Sequence, residues 1–120
     1  MLIFHIDPEK SKKEERAIAN GEIWRQPITD EYSKTIRLGM VDFRDGAHTK
    51  MHTHDGDQIL VIMEGEGLYR TETEEFYVKA GDVLLIPAGE LHSHGAAPGK
   101  SVKQLGVRAV VDGNGNNTQF

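Results

Sequence analysis

Residues 46–65 read "GAHTKMHTHDGDQILVIMEG", and the fold is decided by how this stretch is read. It places three of the chain's six histidines within seven positions and then turns apolar between two glycines. Successive side chains of an extended strand point to opposite faces, so His52 and His54, two apart, share a face. Two imidazoles on one face can grip one ion. The following "DGD" suits a turn into the next strand, which returns Gln58 to the same interior as a third donor. Leu60 and Ile62 share the parity of Gln58 and are expected to wall a cavity, which leaves Ile59, Val61 and Met63 on the opposite face. Downstream, "GDVLLIPAGELHSHG" (81–95) brings His92 to the start of another short strand after a Pro-Ala-Gly turn, with His94 on the same face.

Outward from these stretches the hydrophobic period stays near two. Short β-rich runs occur at "SKTIRLGMVDF", "QILVIME", "GLYRTE", "EFYVKA", "DVLLIPA", "LHSHGA" and "SVKQLGVRAVV", with Gly, Asp and Pro between them. This spacing predicts an all-β sandwich or barrel. The charged segment "DPEKSKKEERAIAN" (7–20) suits either a solvated arm or a helix capped by Asp7, begun by Pro8 and ended at Asn20-Gly21. The expected organisation is an N-terminal arm over 1–33 packing on a barrel over 34–111. The Gly/Asn-rich end, 112–120, is expected to be a flexible tail.

Composition narrows the function classes. A chain of 120 residues fits one domain with one core. The net charge is −5, and basic residues such as those of "KSKKEER" are interleaved with acids, which argues against nucleic-acid binding. With no cysteine there is neither a disulfide nor a thiolate metal site, and no apolar run reaches the length of a membrane span or signal core. A cytoplasmic protein is expected. Any metal would take imidazole, carboxylate or amide ligands, as Mn, Fe, Ni, Co and Zn do.

The joint spacing is more specific than any one pair of histidines. Gly46, five residues, His52-x-His54, three residues, Gln58, six residues and Gly65 form one block; Gly81, five residues, Pro87-x-Gly89, two residues and His92 form the second. In both blocks the chain resembles the cupin superfamily, whose motifs are G-x5-H-x-H-x3,4-E-x6-G and G-x5-P-x-G-x2-H-x3-N. It departs at Gln58, where the family usually has Glu, and at Ala96, where the second motif ends in Asn. The resemblance implies a double-stranded β-helix (jelly-roll) barrel holding one divalent transition metal on His52, His54, Gln58 and His92. Gly46, Gly65, Gly81 and Gly89 would then occupy positions needing positive φ or close backbone approach. Gln58 leaves the site without a protein charge against the ion, which favours Lewis-acid over redox chemistry.

More narrowly, the chain is similar to small single-domain cupins associated with carboxymuconolactone decarboxylases and to manganese-dependent cupin hydroxynitrile lyases. The likeness rests on "NGEIWRQPI", "HTHDGDQILVIMEGEG" and "AGDVLLIPAGELHSHGA". Those lyases use a histidine on the last long strand for proton transfer, and here Gln104 stands at that position. Glutamine cannot act as a base, so the metal set carries over and the cyanohydrin substrate does not. Gln104 is kept as a substrate-binding candidate with Lys50, Leu60 and Ile62, and His94 as a candidate general base. His48 and His5 are expected at the surface or in packing. The expected activity is a lyase or isomerase on a small oxygenated molecule, with a dioxygenase or a non-catalytic ligand-binding cupin as alternatives. The doubly apolar "ILVIM" strand points to cover by another sheet or by a second subunit in a homodimer, with Trp24 and Phe4 as candidate anchors.

Overall fold

The computed structural model describes residues 1–111; the tail expected over 112–120 lies outside the described residues. Eight strands follow one another: β1 (Lys12–Lys13), β2 (Ala19–Pro27), β3 (Ile36–Thr49), β4 (Gln58–Thr71), β5 (Glu75–Lys79), β6 (Val83–Ile86), β7 (His92–Ser93) and β8 (Val102–Ala109). They are hydrogen-bonded in the order β1-β2-β3-β8-β4-β5, with β6 and β7 also on β4. Every pairing is antiparallel, so the expected all-β jelly roll is what forms.

The runs "QILVIME" and "GLYRTE" are not two strands but one, β4. Its first half pairs with β8 and β6, and its second half with β5 and β7. Gly65, at the changeover, has φ +83°, and a Cβ there would collide with the Ser101 carbonyl. Only glycine lets the strand bend from one face of the barrel to the other at this point. Gly46, Gly81 and Gly89 likewise have φ of +77°, +96° and +81°, as the motif reading required.

The helix considered for residues 7–20 does not form. Asp7 does cap and Pro8 does start a turn, but it is a single 3-10 turn, Pro8–Lys10. From Lys12 the chain is extended and joins the sheet as β1 and β2. Ile23, on β2, is fully buried against the core, and this burial together with the β3 ladder outweighs a helical composition. Gln26 ties the chain start down: its Oε1 accepts from the Asp7 N–H at 2.9 Å and its Nε2 donates to the His5 carbonyl at 3.0 Å. Phe4 packs on Tyr32, with centroids 5.2 Å apart, while Trp24 donates to Glu22 and lies under Arg44.

The interior is read rung by rung across β3, β8 and β4, because directly opposed residues share a face. Phe43 faces Val102, Val41 faces Gln104, Gly39 faces Gly106 and Arg37 faces Arg108. On the other flank of β8, Ile62 faces Gln104, Leu60 faces Gly106 and Gln58 faces Arg108. The interior therefore runs from an apolar end, through amides and glycines, to a cationic end. Outside, Ile59 faces Leu85 and Val107, and Val61 faces Val83 and Leu105. No described strand covers that outer face, and Ile59, Met63, Val83 and Leu85 are exposed. No described helix is long and apolar enough to cross a membrane.

Candidate functional site

Two H-x-H pairs meet across the barrel. His52 and His92 form an antiparallel bridge, exchanging backbone hydrogen bonds of 2.9 and 3.0 Å. Their alternate neighbours, His54 and His94, therefore fall on the same face. Ring centroids lie 4.5 Å apart for His52 and His92, 4.9 Å for His52 and His54, and 4.8 Å for His92 and His94. One nitrogen from each of the four comes within 4.8 Å of all the others, a spread that a single metal ion can bridge.

The protons on these rings follow from their partners. A carbonyl only accepts, so His52 Nδ1–H donates to the Lys50 carbonyl at 2.8 Å and His92 Nδ1–H to the Glu90 carbonyl at 2.7 Å. Nε2 is then the atom each ring would offer to a metal ion, an arrangement usual for metal-bound histidine. His94 is set differently. Tyr69 O–H donates to Gln104 Oε1 at 2.8 Å, and Gln104 Nε2 donates to His94 Nδ1 at 3.1 Å. With Nδ1 accepting, a neutral His94 carries its proton on Nε2, a buried atom with no hydrogen-bond partner among the described residues. His92 Nε2 is likewise buried and unbonded. Burial lowers the His92 imidazole below its ordinary value. Burial, with repulsion from His92, His52 and His54, lowers His94 further. Both rings are thus neutral at neutral pH.

The other expected site residues separate into three groups. Gln58, Leu60 and Ile62 are buried on the inner face of β4. Gln104 is fully buried, and both ends of its amide are engaged by Tyr69 and His94. Lys50 lies just past β3, and its side chain is exposed rather than part of the cluster. His48 is half-buried with Nδ1 near the Gly46 carbonyl, and His5 is exposed. A cleft of about 980 Å³ opens between β5 and β6 and reaches inward past Phe76, Val78 and Leu84 to Tyr69, Ile86 and His92.

His94, expected on the face of His92, does join the histidine cluster as a fourth imidazole. One feature was missed in reading the sequence. Arg108 faces inward, and its even spacing from Gln104 on β8 was the signal there.

The profile of the AraC-like ligand binding domain matches residues 41–109, and the chain belongs to that family. Its barrel is a cupin. Over 76 residues the chain is 38% identical to an (R)-mandelonitrile lyase of Granulicella tundricola, a match covering 61% of this chain and 56% of the lyase. It is 36% identical over 76 residues to a gentisate 1,2-dioxygenase of a Ralstonia species, covering 62% of this chain and 21% of the dioxygenase. The chain thus spans about half of the lyase's length and about a fifth of the dioxygenase's. Among solved structures, a cupin-like protein of Thermotoga maritima superposes with a TM-score of 0.81 at 29% identity, covering 88% of this chain and 82% of its own.

Proposed function

We propose that His52, His54, His92 and Gln58 hold one divalent transition metal, and that the barrel is a metal-dependent enzyme of lyase or isomerase type acting on a small oxygenated organic molecule. The observation that carries this reading is the anchoring of His52 and His92 through Nδ1, which aims two Nε2 atoms into a cluster of four imidazoles. The donors are imidazole nitrogen and amide oxygen, a set suited to Mn, Fe, Ni, Co or Zn. When bound, such an ion supplies Lewis acidity toward a carbonyl, a hydroxyl or a water.

The chain's own residues do the rest. Leu60 and Ile62 exclude water from the inner wall. His94, its Nδ1 occupied by Gln104, presents Nε2–H as a donor to a substrate oxygen, and the Tyr69 hydroxyl holds Gln104 in the orientation that requires this. His94 thereby positions substrate as a hydrogen-bond donor instead of serving as a fourth imidazole ligand. The name of the lyase relative supports this class of chemistry, and that of the dioxygenase relative supports the oxidative alternative. A second reading, a non-catalytic small-ligand binder, is favoured by membership of the AraC-like ligand binding domain family.

The outer face of β4 and β6 supports a homodimer. Val83 and Leu85 are 65% and 64% exposed on a sheet face otherwise made of Ile59, Val61, Leu105 and Val107, the composition of a surface covered by a second copy.

The test is elemental analysis of protein purified without chelator, beside His52→Ala and Gln58→Ala. About one equivalent of metal in the parent and less than about a tenth in His52→Ala is expected. Turnover of hydroxy-acids, oxo-acids or cyanohydrins by the loaded protein then separates enzyme from binder. A parent that stays below about a tenth of an equivalent after incubation with each ion sinks the metal reading.

A further inference from the structure

The cationic end of the interior is not explained by a metal. Arg108, on β8, is 4% exposed, yet its Nε and Nη2 are buried and make no hydrogen bond among the described residues. These two nitrogens form one edge of the guanidinium, with their N–H bonds side by side. That edge is the one that takes both oxygens of a carboxylate. Leaving a guanidinium edge buried and unbonded is costly, so such an edge calls for a partner that completes it.

The surroundings fit an anion. Arg37 lies directly opposite Arg108 on β3, and Gln58 directly opposite on β4, so all three share the inner face. Arg37 is held by its Nη1, which donates to the Asp30 carbonyl at 2.5 Å and to the Ser33 carbonyl at 3.4 Å. Arg25 faces the same side from β2 but is paired with Glu14 at 3.2 Å. Two carboxylates, Asp30 and Asp55, act on Arg108 through space. Neither satisfies it. Asp30 Oδ1 is itself buried with no partner, so it is not bonded to the Arg108 edge, and Asp55 is exposed on the β3–β4 connection. Gly39 and Gly106 form the adjoining rung with Leu60, and a Cβ added at Gly106 would lie 3.8 and 3.9 Å from the Nε2 atoms of Gln58 and Gln104, so the two amides flank this glycine.

We propose that Arg108, assisted by Arg37, is a carboxylate-binding subsite beside Gln58, and that the small molecule this barrel takes is a carboxylate. The subsite needs no metal; its assignment to a substrate rests on the function proposed above. A carboxylate seated on the Arg108 edge lies one strand from Gln58, which places the remainder of a small hydroxy- or oxo-acid toward the histidines.

The test uses glycolate and its neutral counterpart glycolamide, titrated calorimetrically into the full chain, metal-free and after incubation with manganese. Glycolate is expected to bind both forms, and glycolamide about tenfold or more weaker. Arg108→Gln should lower glycolate affinity about tenfold or more, leaving glycolamide affinity and bound metal unchanged. Arg108→Lys, which keeps the charge and loses the two-pronged edge, should fall between, and Arg37→Gln should weaken glycolate less. These two variants carry the test if Arg108→Gln does not fold by circular dichroism. Equal binding of glycolate and glycolamide, no glycolate binding to either form, or folded Arg108 variants that bind glycolate like the parent would overturn the subsite. Manganese uptake with Arg108-independent glycolate binding removes this proposal and leaves the metal reading. Glycolate binding that depends on Arg108 in a protein that takes up no metal does the reverse.

Discussion

The two ends of the barrel interior are built by the same strands and have opposite character. At one end β3 and β8 set Phe43 against Val102, with Ile23 beside them, all essentially solvent-free. At the other they set Arg37 against Arg108, with Gln58 next in line. The apolar end closes by hydrophobic packing, which needs no particular partner. The cationic end leaves two Arg108 donors without a partner among the described residues, a cost that the proposed carboxylate would offset. The rungs between carry out the transition, from the Gln104 amide fixed by Tyr69 to the paired glycines.

The largest expected effect breaks the apolar end. Phe43→Ala should cost about 3–5 kcal/mol in urea denaturation, because it opens a cavity among fixed neighbours; a loss under about 1 kcal/mol would show that this end is not the stabilising one. Tyr69→Phe acts at the amide rung. It removes one buried hydrogen bond, about 1–2 kcal/mol, and lets the Gln104 amide turn over. Nitrogen chemical shifts of His94 should then report a proton moved from Nε2 to Nδ1, and an unchanged tautomer would mean that Tyr69 does not set it.

Glu14 sharpens the comparison from the flank. Its hydrogen bonds to Arg16, and its pairing with Arg25, hold its carboxyl at about 2, against an ordinary value of 4.5. A depressed carboxyl stabilises the fold above its unfolded value, and that contribution is lost as pH falls from about 4.5 toward 2. Arg16 is largely exposed, so Glu14→Gln should cost only about 1 kcal/mol at pH 7 and flatten the acid limb of a stability-pH curve. A variant with the parent's acid limb would assign that limb to other carboxylates. The smallest effect is of opposite sign. Arg108→Met should leave stability unchanged or raise it by about 1 kcal/mol, since it replaces a buried, unsatisfied charge by a methionine of similar length. A loss of several kcal/mol would make Arg108 a structural residue.

Much of the site could be read locally. His52-x-His54 and His92 were legible because side-chain parity within one strand is a covalent fact, and the positive-φ glycines because only glycine sits easily there. Gly65 was legible as a special position but not as a bend within β4, since the strand's two sets of partners lie far away in sequence. The N-terminal segment misled because composition reports intrinsic preference, whereas the open flank of β3 supplied the ladder that β2 joins.

The sequence by itself determined the class of fold, the face shared by His52 and His54, and the glycines that allow the turns, all properties of neighbours along one chain. Only the tertiary structure decided that His94 joins the cluster, that Tyr69 reaches Gln104 across 35 residues, and that Arg37 stands opposite Arg108. Those pairings depend on the register between strands, which is selected by the packing of the whole interior and has no signature in any single segment.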